Sequence, residues 1–234
     1  MNPYLAEFFG TMLIVLMIDG VVAGVILKGT KSESAGWLTI AVACGLGVTL
    51  AIYAVGSFSG AHLNPAVSIA LASIGKFSWS LVPGYCLAQL LGAFVGAVLV
   101  WLHYWPHWKL TNDASTKLAV FCTAPAVRST LSNFISEVLG TALLVLAILF
   151  IGVNTFTEGL MPLVIGALIV SIGLSLGGTT GFAINPARDL GPRLAHFLLP
   201  IPGKGHSDWS YSWIPVLAPI VGGLLGAWLY QLIF

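Results

Sequence analysis

The sequence predicts an all-α membrane protein: six transmembrane helices plus two re-entrant half-helices, arranged as an inverted repeat. Three observations carry that prediction. The first is composition, with 58% hydrophobic and only 7% charged residues among 234, against about 25% charged in soluble domains. The second is six apolar stretches of spanning length. The third is the triplet Asn-Pro-Ala, which interrupts apolar sequence at residues 64 to 66 and again at 185 to 187.

Taken in order, the first stretch covers about residues 4 to 27. It has no basic leader and contains Glu7 and Asp19, so it reads as a retained span and not as a cleaved signal. A bilayer core of about 30 Å needs about 20 helical residues. The stretches at 36–56, 80–104, 131–152, 159–178 and 212–233 also meet that length. Between the second and third, and between the fifth and sixth, lie the Asn-Pro-Ala segments, too short to cross. Asparagine is a favoured N-cap, and proline fits the first helical position because its missing N–H has no intrahelical partner there. Asn64 and Asn185 therefore each start a helix. The run from Pro65 to Ile74 gives about 15 Å of helix, half the bilayer core.

The two halves match each other. AEFFGTMLIVL at 6–16 aligns with SEVLGTALLVL at 136–146, an offset of 130 residues. AQLLGAFVGAVL at 88–99 aligns with APIVGGLLGAWL at 218–229 at the same offset, placing Gly92 and Gly96 on Gly222 and Gly226. Such GxxxG pairs let helix backbones approach closely. Each copy has an odd number of crossings, so the second must be inverted relative to the first. We read residues 1–234 as a single domain: a first repeat of about 1–105, a linker of about 105–130 on one membrane face, and a second repeat of about 131–234.

Half-helices entering from opposite faces meet amino end to amino end, each end carrying roughly half a positive charge. The non-helical residues before each cap, Gly60 to Leu63 and Thr179 to Ile184, cannot present backbone polar groups to lipid. They must be buried in protein or line a water-filled path. His62 falls on that wall. A net charge of +1 without a basic run gives nucleic acid no purchase, and Cys44, Cys86 and Cys122 are too scattered for a disulfide framework or metal cluster. Neither a cofactor fingerprint nor a nucleophile and base motif is present, so an enzyme is not expected.

SGAHLNPAV at 59–67 and TGFAINPARDLGPR at 180–193 resemble the two hallmark loops of the major intrinsic proteins, the aquaporin and glycerol facilitator family. The resemblance extends over nearly the whole chain. It implies a multi-pass protein of the cell membrane, a homotetramer with a pore in every monomer, and passage of small uncharged solutes. Asn64 and Asn185 would stand at the pore centre, with Gly60, Ala61, His62, Leu63 and Ala183 on its lining. The narrowest ring is implied at Cys44, Gly173, Phe182 and Arg188. Asp189, Arg193, Tyr104 and Pro215 with Val216 match positions of the glycerol-conducting branch. Physically, Arg188 offers a planar donor fork and Phe182 an apolar wall, which suits a polyol. Cys44 departs from the family pattern, where a tryptophan stands. That change widens the constriction and admits small neutral acids or carbonyl compounds beside glycerol and water. A channel confined to water is the alternative within the family.

Intramembrane carboxylates are costly and mark functional positions. Glu7 and Glu137 are repeat equivalents, and the family implies that each accepts hydrogen bonds from a re-entrant loop. Used instead as proton carriers, they would make the protein a coupled transporter. Asp19 has no counterpart in the second repeat and is placed toward the outer vestibule. Trp37, Trp79, Trp101, Trp105, Trp209 and Trp213 fall at span ends, as an aromatic belt does. Lys28, Lys31, Lys109, Lys117, Arg128, Arg193 and Lys204 oppose a lone Lys76 across the bilayer. That bias places the termini outside, whereas the family implies cytoplasmic termini; we follow the family.

Overall fold

A computed structural model describes residues 1–234. The chain is helical throughout: α1 (Pro3–Ile26), α2 (Trp37–Ser59), α3 (Pro65–Ser73), α4 (Val82–His103), α5 (His107–Leu110), α6 (Ala114–Phe121), α7 (Thr130–Gly152), α8 (Met161–Ser175), α9 (Pro186–Leu198) and α10 (Ile214–Ile233). Five of these, α1, α2, α4, α7 and α10, are long and apolar enough to cross a membrane. The sixth predicted span is occupied by α8, whose 15 residues rise only about 22 Å. Its last turn gives way at Leu176 to a stretch containing Gly177 and Gly178, two residues with poor helix propensity.

The repeat offset reappears as packing. α1 lies against α4, and α7 against α10. At the first crossing, a Cβ on Gly92 would strike the Phe8 carbonyl, and one on Gly96 the Met12 carbonyl. At the second, Gly222 meets the Val138 carbonyl and Gly226 the Ala142 carbonyl. These contacts are the same pairs shifted by 130 residues. The short helices cross over: α3 packs on α10 of the other half, and α9 on α4. Each half-helix is therefore clasped by a long helix of the opposite repeat.

Between α4 and α7 the structure differs from the plain linker expected. Asp113 accepts from the N–H of Ser115 and of Thr116 and so caps α6. Trp108 and Phe121 stack at 5.5 Å and are both buried. Lys117 is buried too, with its ammonium on the Pro202 carbonyl. Arg193 is likewise fully buried. Two of the seven cations counted toward the charge bias thus lie inside the protein, which weakens the bias read from sequence.

Candidate functional site

Asn64 and Asn185 are N-caps, as proline at the next position requires. The Asn64 Oδ1 accepts from Ala66 N–H at 2.9 Å. The Asn185 Oδ1 accepts from Ala187 N–H at 3.0 Å and Arg188 N–H at 3.3 Å. Each amide then reaches into the other repeat. Asn64 Nδ2 donates to the Ile184 carbonyl at 2.8 Å, and Asn185 Nδ2 donates to the Leu63 carbonyl at 2.8 Å. An amide nitrogen carries two hydrogens, so each asparagine keeps one N–H uncommitted. The two half-helices are stitched together at their amino ends.

The backbone leading to each cap follows one path. Gly60, Ala61 and Leu63 have φ of 79, 50 and 52°, and Gly181, Phe182 and Ile184 have 83, 40 and 41°. Left-handed geometry at a non-glycine residue costs about 1–3 kcal/mol and persists only where the surroundings enforce it. The enforcing groups are the two buried carboxylates. Glu7 accepts from His62 N–H at 3.0 Å and Leu63 N–H at 2.6 Å. Glu137 accepts from Ala183 N–H at 3.0 Å and Ile184 N–H at 2.8 Å. Charge-assisted bonds of this kind are roughly twice as strong as neutral ones. Glu7 gathers two further donors, Ser59 Oγ at 2.6 Å and Gln89 Nε2 at 2.7 Å.

One cavity of about 520 Å³ runs past this meeting point and touches both asparagines. Gly60, Ala61, His62, Leu63, Ala183, Phe182, Arg188 and Cys44 also line it, and 24 of its 31 lining residues are hydrophobic, so it solvates an ion poorly. Glu7 and Glu137 lie behind the wall, 0% and 1% exposed. His62 is fixed by a 3.0 Å contact between Nδ1 and Ser68 Oγ, and its ring packs against Phe77 and Tyr85.

Gly173 is placed differently from its three partners. It lies beside the cavity, and a Cβ there would stand 3.0 Å from Phe182 Cζ and 3.2 Å from Ala41 Cβ. The space it frees is filled by the Phe182 ring. Trp37, expected as a headgroup anchor, instead lines the cavity. Its ring meets Phe182 edge-on at 5.7 Å, and its Nε1 donates to the Gly173 carbonyl at 2.9 Å. Sequence reasoning also missed the contribution of the segment after α4, which supplies Ala119, Cys122, Thr123 and Ala124 to the lining.

Of the branch-marking residues, Asp189 and Arg193 form a buried ion pair with Nε 2.8 Å from Oδ1. Asp189 accepts from Thr123 N–H at 2.8 Å and Thr123 Oγ1 at 2.6 Å. Arg193 donates to the carbonyls of Ser207, Asp208 and Thr123. The pair therefore ties α9 to two loops and stays out of the cavity. Tyr104 ends α4 with its hydroxyl beside Gly24, and Pro215 is buried in the first turn of α10. Asp19 is corrected outright. It lies in no vestibule but is 0% exposed, with Oδ1 3.3 Å from Arg188 Nη1. No sequence signal links two residues so far apart along the chain.

Comparison with known proteins agrees with this architecture. The sequence pattern of the family described as major intrinsic protein matches residues 1–230. The probable glycerol uptake facilitator protein of Thermotoga maritima is 59% identical over 234 residues, covering the whole of both chains. The glycerol uptake facilitator protein of Bacillus subtilis is 57% identical over all of this chain and 85% of its own length. Among solved structures, the aquaglyceroporin from Plasmodium falciparum superposes with a TM-score of 0.87 at 34% identity, covering 98% of this chain and 94% of that one. With the matched pattern spanning the two half-helices and all the long ones, the chain is a multi-pass membrane protein belonging to the major intrinsic protein family.

Proposed function

We propose that the protein is a passive channel for glycerol and other small uncharged solutes, that it also conducts water, and that it excludes ions and protons. The observation that carries this reading is the single apolar cavity passing both asparagine amides, each with one uncommitted N–H. A polyol needs such donors for its hydroxyls and an apolar wall for its carbons. Arg188 and the Asn amides supply the donors, while Phe182 and Trp37 supply the wall. The names of the two bacterial relatives point to the same solute.

Ion exclusion follows from three features acting together. The lining offers few replacements for a hydration shell, and the α3 and α9 amino ends each add roughly half a positive charge against cations. Arg188 adds its fixed charge on the same path. Glu7 accepts four hydrogen bonds and Glu137 two, spent on holding the loops, and neither carboxylate touches the cavity, which favours uncoupled passage over a proton relay. Cys44, where the family pattern carries an indole ring, leaves width for small neutral acids or carbonyl compounds. The assembly is a homotetramer, as the family resemblance implies, with one pore in each subunit.

Stopped-flow light scattering of proteoliposomes exposed to a glycerol gradient tests the reading. Fast shrinkage followed by protein-dependent re-swelling is expected. Shrinkage without re-swelling would make the channel water-selective, and uptake that requires a pH gradient would make it a coupled transporter.

A further inference from the structure

One buried carboxylate, Asp19, has no place in the loop anchoring or the α9 ion pair. Asp19 is completely enclosed, and neither carboxylate oxygen receives a hydrogen bond. It stands on α1 one turn from Val15 and one turn from Ala23, both part of the apolar cluster that includes Leu27, Phe121 and Cys122. In the second repeat the equivalent position, 130 residues on, is Leu149, an ordinary core residue 7% exposed. The fold therefore accepts an apolar side chain there. Burying a lone carboxylate in such a place is unfavourable unless a counter-charge meets it, and the counter-charge is Arg188 at 3.3 Å. The Arg188 side chain makes one hydrogen bond, a long one of 3.4 Å to the Phe121 carbonyl.

A guanidinium whose side chain is 9% exposed, facing a narrow apolar cavity without compensation, is a binding site for small anions. With an opposite charge directly behind it, the long-range field collapses to that of a dipole while the N–H donors remain. Width alone does not exclude an anion at this point, since Cys44 lines the cavity where a bulkier ring would narrow it.

We propose that Asp19 is a specificity-determining residue that acts through Arg188. Its carboxylate cancels the net charge of the constriction, so that hydroxyls still find donors but small anions are neither drawn in nor held. The inference rests on reading Arg188 as part of the constriction. Asp19 does not touch the cavity, so it is a charge-compensating and positioning residue and makes no contact with solute.

The test titrates glycerol flux in proteoliposomes of the full chain with sodium nitrate, an anion without a neutral form at any accessible pH, using sodium gluconate as the ionic-strength control. Nitrate is expected to leave wild-type flux close to the gluconate control. Asp19→Asn, which keeps the shape and removes the charge, is expected to lower the nitrate concentration for half-block by at least about tenfold, or about 1.4 kcal/mol of affinity. Asp19→Asn combined with Arg188→Gln is expected to abolish that sensitivity. A purely packing role would not produce a block that depends on Arg188. Wild-type flux as nitrate-sensitive as Asp19→Asn, or block that survives in the double variant, overturns the proposal. Should Asp19→Asn fail to assemble, Asp19→Leu, which installs the residue type found at the equivalent position of the other repeat, takes its place: nitrate block that depends on Arg188 supports compensation, and insensitivity equal to wild type refutes it. Absence of glycerol flux from nitrate-free vesicles would instead remove the channel reading beneath it, whereas altered block with glycerol flux intact bears on Asp19 alone.

Discussion

Residues 60–64 and 181–185 trace the same backbone with the same left-handed positions, yet the half-helices they lead into are fastened by different chemistry. α3 is short and apolar, and its neighbourhood is braced mainly by uncharged side chains, His62 on Ser68, Gln89 on Ser68 and Tyr85 on the Ser59 carbonyl, with Gln89 also on the Glu7 carboxylate. α9 carries Arg188, Asp189, Arg193 and His196, all buried, and is held through the Asp189–Arg193 pair, whose acid accepts from Thr123 and whose base donates to the carbonyls of Ser207, Asp208 and Thr123. The centre, where the two helices meet, must be symmetric because each cap donates to the opposite loop. The anchors further out are under no such constraint. Charge is concentrated on the side where Arg188 lines the cavity.

The largest difference should appear at Arg193. Arg193→Leu leaves Asp189 buried without its partner and strips a donor from the Ser207, Asp208 and Thr123 carbonyls. Breaking a buried pair in this way costs about 3–5 kcal/mol, to be read from thermal unfolding in detergent. No single side chain around α3 should match it, and a Gln89→Leu variant equally destabilised would erase the contrast.

Next come the carboxylates. Glu7→Gln and Glu137→Gln each exchange a charged acceptor for a neutral amide, where hydrogen bonds to a charge are worth about 1.5–3 kcal/mol. Four donors converge on Glu7 and two backbone N–H groups on Glu137, so the loss should be greater at Glu7. The reverse order in the same unfolding experiment would show that loop strain, and not donor number, sets the cost.

The smallest effect belongs to the caps themselves. Asn185→Ala and Asn64→Ala should each lose about 1 kcal/mol of helix capping and about 1 kcal/mol for the bond to the opposite loop, slightly more at Asn185 because it accepts from two N–H groups where Asn64 accepts from one. Both should reduce glycerol flux more than this modest destabilisation accounts for, since the free amide N–H disappears from the path. Flux unchanged in both variants would separate capping from conduction.

Much of this symmetry was legible in the sequence because it rests on local chemistry. An asparagine before a proline announces a helix start wherever it occurs, and the glycine pairs at a fixed offset announce where helices touch. The equivalence of Glu7 and Glu137 followed from the same alignment. The left-handed residues Ala61, Leu63, Phe182 and Ile184 were hidden because none is glycine; carboxylates distant in the chain impose their geometry. α6 was hidden although its cap, Asp113, stood in plain view, because the polar run around it lacks a long apolar period. Trp37 read as a membrane anchor because its position at a span end is the same whether the ring turns to lipid or to the cavity. The approach of Asp19 to Arg188 depends on how α1 packs against α9, which periodicity does not specify.

The central claim is that solute passes the point where the two half-helices meet. It is tested most directly by a high-resolution experimental map of the protein equilibrated with glycerol. The account predicts a glycerol hydroxyl within hydrogen-bonding distance of Nδ2 of both Asn64 and Asn185, with further density along the lining toward Arg188. A dry junction with those amides closed off from solvent, or glycerol confined to a path that bypasses them, would contradict it.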